Sequence, residues 1–322
     1  MFIEILIILI TTYTIWHASN ILGRETENLG NKYNIPSSVK GATLDAVGSS
    51  FPEFCTVIFC LYAGSFEAGL GAVAGSALYN ILIIPSLCVI FTNKSMNVEK
   101  KVVYRDGIIY ILTIIFLISM IYFGSPNPTN MDLKLINKSS GSVFILLYIL
   151  YLVFLIFESK NSDSKINRTF NNQSLIKIIF FITLSMIIIA ISVHFLVDNS
   201  LKLFTTLGLS KTAIGVIILA AITSLPDTFL SIISAKRGDA DAAISNALGS
   251  NTFDILICLG LPIVYFNGIY INLNESFILL IYLLISSIVS MILISSNWRL
   301  SKIEAKAMLL IYIIFFIYII IQ

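Results

Sequence analysis

GATLDAVGSSFPEF (Gly41 to Phe54), followed by AGSALYNIL (Ala74 to Leu82), returns later in the chain as GVIILAAITSLPDTF (Gly215 to Phe229), followed by LGSNTFDIL (Leu248 to Leu256). Gly41 and Gly215, Ser50 and Ser224, Pro52 and Pro226, Ser76 and Ser250, and Asn80 and Asp254 are each 174 residues apart. A constant spacing means one duplicated unit with nothing inserted across either copy. Both copies set acidic or amide groups inside apolar runs: Glu53 answers Asp227, and Asn80 answers Asp254. Such groups are costly within a bilayer and by default mark an ion path.

Of the 322 residues, 57% are hydrophobic and 12% charged, and the mean hydropathy is +0.93. That composition excludes a soluble domain of this size. A spanning helix needs roughly 20 mostly apolar residues. Ten such runs are legible, at about 2–20, 39–62, 67–92, 104–123, 142–157, 175–196, 212–234, 240–266, 275–296 and 304–321. The first lacks a basic leader and a small-residue cleavage pattern, so it reads as a span rather than a signal peptide. The fold expected is an all-α polytopic membrane protein. Residues 1–157 form a first half with signature segment 41–82, and 175–322 form a second with signature segment 215–256. A polar cytoplasmic linker, 158–174, joins them.

With ten spans, 16 of the 20 Lys and Arg residues fall on the side of the loops after odd-numbered spans. Only Lys134, Lys138, Lys202 and Lys211 fall on the side of the even loops and both termini. The positive-inside rule then predicts that both termini are outside. Five spans per half turn the second half over, so the plan expected is two inverted five-helix repeats with a site at their interface. No basic cluster suggests nucleic acid. No nucleophile–base pair, HExxH or phosphate loop suggests an enzyme. Cys55, Cys60, Cys88 and Cys258 match no zinc or redox spacing and read as packing residues.

Pro52 removes a helix donor and frees the carbonyl near Gly48. A bent helix at membrane depth is tolerated where it lines a polar cavity. Freed carbonyls, the Ser50 hydroxyl and the Glu53 carboxylate then converge, and Ala220, Thr223, Ser224, Pro226 and Asp227 repeat the arrangement. Ser76 with Asn80, and Ser250 with Asp254, are spaced i, i+4 on one helix face. Gly75 and Gly249 precede those serines and are expected to let helices approach closely. Three carboxylates, an amide and four hydroxyls suit Na+ or Ca2+, which takes about 6–8 oxygens, rather than a soft metal. Asp45, His17 and His194 read as helix-end and interface groups, and Glu67, Asp239 and Asp241 as caps at helix N-termini.

These doubled motifs resemble the two signature repeats of the sodium/calcium exchanger superfamily, prokaryotic-type, and the likeness covers essentially the whole chain. The resemblance implies an antiporter of the cell membrane that exchanges several Na+ for one Ca2+ by alternating access. It implies no resident cofactor and no partners beyond the transported ions and the bilayer, with no obligate protein partner. By it, Glu53 and Asp227 bind Ca2+ and share in Na+ binding. Carbonyls of Ala46, Ser49, Ala220 and Thr223, with hydroxyls of Ser50, Ser76, Ser224 and Ser250, complete the sites, and Asn80 and Asp254 lie at the middle of the cluster. Asp227 stands where Glu is common, and Ile222 where Gly is. The run Asn251 to Asp254 resembles the potassium-dependent branch, in which the carboxylate matching Asp254 is tied to K+ use. Exchangers without K+ dependence also carry Asp there, so both alternatives stay open. The second reading is a Ca2+/H+ antiporter on the same fold, since protons compete for carboxylates.

Overall fold

The computed structural model describes residues 1–35, 40–161 and 174–321, so most of the expected 158–174 linker lies outside the described residues. Among the described residues, nine single helices are long and apolar enough to cross a membrane, and one bent pair makes a tenth span. In chain order they are α1 Phe2–Lys32, α2 Thr43–Tyr62, α3 Phe66–Thr92, α4 Lys100–Tyr122 and α5 Lys138–Glu158. The second five are α6 Leu175–Thr206, α7 Lys211–Thr223 with Leu225–Lys236, α8 Ala240–Tyr265, α9 Leu273–Ser295 and α10 Lys302–Ile321.

Two boundaries lie well beyond the sequence-based expectation. Helix α1 continues to Lys32 instead of ending near residue 20, and α6 continues to Thr206 instead of ending near 196. Hydropathy marks where apolar residues stop, not where helical packing stops. The extra turns of α1 bury Leu22, Glu25, Thr26 and Gly30. Those of α6 bury Asn199, Ser200 and Leu203.

Helices that are apolar all round should be the most enclosed. The spanning windows of α3 and α8 are each 78% buried, against 28% for α1 and for α6. So the two helices that follow the Pro-bearing segments sit at the centre. α1 and α6 instead pack on each other, Ile15, Ala18 and Leu22 meeting Ile189, Val193 and Leu196 in a second apolar cluster beside the main core.

Short strands tie the loops together. β1 (Met96–Asn97, after α3) pairs antiparallel with β5 (Arg299–Leu300, before α10). β2 (Ser125–Pro126) and β3 (Leu133–Asn137), both between α4 and α5, form a sheet with β4 (Gly268–Asn272) after α8. Each sheet joins only loops that a ten-span count puts on one side. Side chains agree. Near one end, Arg105 and Lys101 bond Glu158 across α4 and α5, at 3.2 and 3.1 Å. Near the other, Tyr62 and Tyr265 meet hydroxyl to hydroxyl at 3.3 Å between α2 and α8.

Helical spacing relaxes to π turns at Gly41–Asp45 and Gly215–Leu219, and at Tyr79–Ile83 and Asp254–Leu259. Members of each pair are related by the repeat spacing to within two residues. π turns cost hydrogen-bond quality and are frequent at functional sites. Here Asn80 and Asp254 lie at the start of two of them.

Candidate cation site

The two Pro-bearing helices do not break alike. α2 is helical straight through Pro52, whereas α7 is interrupted at Ser224 with a bend of 45°. Pro226 stands in the first turn of the second helical piece, where a missing N–H would have had no helical partner. Ser224, at φ −80° and ψ 0°, ends the first piece.

Around these segments the structure brings together most of the residues singled out from sequence. Glu53, Asp227 and Asp254 are each 0% exposed. Glu53 Oε1 accepts from Ser76 Oγ at 3.5 Å, and Ser76 Oγ meets Ser224 Oγ at 2.8 Å, joining α2, α3 and α7. Asp227 Oδ1 accepts from Ser250 Oγ at 3.1 Å and Asn246 Nδ2 at 3.3 Å, while its Oδ2 accepts from Asn80 Nδ2 at 3.3 Å. Ser49 Oγ lies 3.3 Å from Ser250 Oγ. Asn80 Nδ2 also donates to Asn251 Oδ1 at 3.0 Å, and Asn251 Nδ2 donates to the Ala77 carbonyl at 3.1 Å. That chain fixes the Asn80 amide with its nitrogen turned to acceptors and its oxygen left over.

Four of the buried oxygens without a hydrogen-bond partner lie at this cluster: Ser50 Oγ, Glu53 Oε2, Asn80 Oδ1 and Asp254 Oδ2. An unpaired buried polar atom costs roughly 1–3 kcal/mol. Here they come from three helices, and the carboxylates stand near enough to repel one another. The ion pairs among the described residues lie elsewhere, as at Arg105 with Asp106 and Lys202 with Asp198. A hard cation would satisfy orphaned oxygens and uncompensated charge together.

The helix carbonyls are engaged within their own helices. That of Ala46 accepts from Ser49 Oγ at 3.4 Å, and that of Ala220 from Ser224 N at 3.0 Å and Thr223 Oγ1 at 3.4 Å. The Ala220 carbonyl thus already accepts two hydrogen bonds. Among the described residues no three His, Cys, Asp or Glu side chains form a metal-holding group. Carbonyls, hydroxyls and the amide must therefore supply most ligands to any one ion.

Other expectations resolve separately. Gly75 does make a close approach: a Cβ there would lie 2.7 Å from Val216 Cα of α7. Gly249 does not, since nothing lies within 4 Å of its ideal Cβ; α8 meets its neighbours through other faces. His17 packs on Tyr13 and Trp16, and His194 on Phe59, neither within the acidic cluster. Asp45 is partly buried at the start of α2, in the field of Lys40 and Glu27. Asp239 caps α8 through Ala242 N, whereas Asp241 accepts from Glu99 N in another loop, at 2.7 Å, instead of capping.

Three residues at the cluster were not expected there: Asn246, which the sequence reading passed over, Asn251, which it named only as the start of the Asn251 to Asp254 run, and Cys258, which it read as packing. Asn246, Ser250, Asp254 and Cys258 recur every fourth residue along α8, a signal that was available. Asn251 answers Ala77 across the repeat, so matching the two copies hides it. Cys258 is no mere packing residue, because its Sγ lies 3.6 Å from Asp254 Oδ1.

Ten apolar spans around a buried acidic cluster define a multi-pass integral membrane protein. Its sequence matches the profile of the sodium/calcium exchanger protein family over residues 3–157 and 177–321, and the chain belongs to that family. It is 24% identical to the sodium/calcium exchanger MaX1 of Methanosarcina acetivorans over 98% of both chains. Its fold is similar to that of the sodium-calcium exchanger NCX_Mj, with a TM-score of 0.67, 23% identity, and 97% and 96% of the two chains covered. It is also similar to that of the H+/Ca2+ exchanger CAX, with a TM-score of 0.77, 15% identity, and 99% and 81% covered. The family is one of cation antiporters, not of enzymes.

Proposed function

We propose that this protein is a Na+/Ca2+ antiporter of the cell membrane, working by alternating access between two inverted halves with both termini outside. One observation carries the reading. Glu53, Asp227 and Asp254 are wholly buried with no Lys or Arg partner among the described residues, so their charge calls for a bound cation. Glu53 and Asp227 hold Ca2+ and share in Na+ binding. Asn80, Asp254, the hydroxyls of Ser50, Ser76, Ser224 and Ser250, and the carbonyls of Ala46, Ser49, Ala220 and Thr223 complete the sites. Since the same oxygens serve both ions, Na+ and Ca2+ exclude one another, which is what exchange requires.

The test is 45Ca2+ uptake into Na+-loaded proteoliposomes, without and with K+, and with the proton gradient collapsed. Uptake that needs internal Na+ and survives the collapse is the expected result. An added K+ requirement would assign Asp254 to K+ use. Uptake that ignores Na+ and follows an imposed pH gradient would overturn the reading in favour of Ca2+/H+ exchange on the same carboxylates.

The topology has its own check. A tag on either terminus is expected to react with an impermeant reagent added outside cells; protection of both would contradict the orientation inferred from the basic loops.

A further inference from the structure

We propose that the cluster also binds a thiophilic divalent cation, Zn2+ or Cd2+, with Cys258 as its sulfur ligand and Asp254 beside it. This rests on reading the cluster as a cation site, and it adds a soft-metal subsite to one otherwise built of hard oxygens. The geometry is that of a metal-ligand edge. Cys258 Sγ lies 3.6 Å from Asp254 Oδ1 and 3.8 Å from the Ser50 carbonyl oxygen. With a metal–sulfur bond of about 2.3 Å and metal–oxygen bonds of about 2.1 Å at a tetrahedral angle, sulfur and oxygen stand about 3.6 Å apart.

A second, independent feature points to a ligand at the same place. Asp254 is 0% exposed, its Oδ2 has no hydrogen-bond partner, and the Ser50 hydroxyl faces the same carboxylate. Thiol, carboxylate, carbonyl and hydroxyl thus offer one sulfur and three oxygens from α2 and α8. Cys258 follows Asp254 by four residues within the π turn Asp254–Leu259. On binding, the metal displaces the thiol proton, which leaves to the medium, so that a thiolate coordinates it. Sulfur favours Zn2+ and Cd2+, whereas Ca2+ takes oxygen. Because Asp254 is common to both sets, the soft metal and Ca2+ cannot be bound together.

The experiment titrates the purified full chain with Cd2+ and reads the thiolate-to-cadmium charge-transfer absorption, with displacement of bound 45Ca2+ read in parallel. Wild type should show the band at one equivalent and lose Ca2+ as it grows. Cys258→Ser and Cys258→Ala should each lose the band, and the ratio of Cd2+ to Ca2+ affinity should fall about 10-fold or more. Cys55→Ser should keep the band, since Cys55 has no part in this set. A band that survives both Cys258 variants, or wild type that takes no Cd2+ while binding Ca2+, overturns the proposal and leaves the cation site standing. Wild type that binds Cd2+ but not Ca2+ would sink the Na+/Ca2+ reading instead.

Discussion

Replacing Glu53 by Gln, or Asp227 by Asn, is expected to lower Ca2+ uptake by about 100-fold or more while the protein still folds. Both changes keep the shape of the side chain, remove its charge and turn one acceptor oxygen into an NH2 donor. At a Ca2+–oxygen distance of about 2.4 Å and an effective dielectric constant of about 20, a unit charge beside a divalent ion is worth on the order of 10 kcal/mol. Desolvation offsets much of that. A residue of about 3 kcal/mol already corresponds to about 100-fold in affinity. Folding should survive, because each carboxylate is buried without a basic partner and an amide there is cheaper to bury. Uptake assayed at equal amounts of purified protein separates the two effects. Wild-type flux in both variants would remove Glu53 and Asp227 from the site.

Gly215→Val is expected to prevent the native packing of α3 on α7, with loss of most folded protein. A Cβ at Gly215 would overlap the Ala68 carbonyl and lie 2.8 Å from Ala72 N; at Gly71 it would lie 2.7 Å from the Thr212 carbonyl. The neighbours are backbone on both sides, so no side chain can turn away. Overpacking at such a crossing costs about 3 kcal/mol. Gly249→Ala serves as the contrast, since its Cβ would meet nothing within 4 Å. Yield and thermal midpoint in detergent should drop sharply for Gly215→Val and little for Gly249→Ala. Equal midpoints would mean the α3–α7 approach is looser than the geometry indicates.

Both results bear on how much of this protein was legible in its chain. The spans were legible because a bilayer demands roughly 20 apolar residues at a time, and the ten runs correspond to nine single helices and one bent pair among the described residues. The acidic positions were legible because the doubled motif sets Glu53 against Asp227 and Asn80 against Asp254 at one spacing. Asn246 and Cys258 were not picked out, since neither residue type is unusual until its neighbour is known. The far ends of α1 and α6 were missed because burial against another helix, not hydropathy, prolongs them.

The sequence by itself determined the apolar spans, the pairing of the two signature segments and the identity of the acids and most of the hydroxyls that meet in the cluster. Those follow from local composition and from comparison of the chain with itself. Only the tertiary structure decided that α7 breaks at Ser224 while α2 runs on through Pro52. It also decided that Asn251 turns the Asn80 oxygen free, and that a thiol stands against Asp254. The physical reason is the same in each case. Whether a helix bends, which way an amide faces and what a carboxylate touches are set by neighbours from other helices, and residue spacing within one helix carries no record of them.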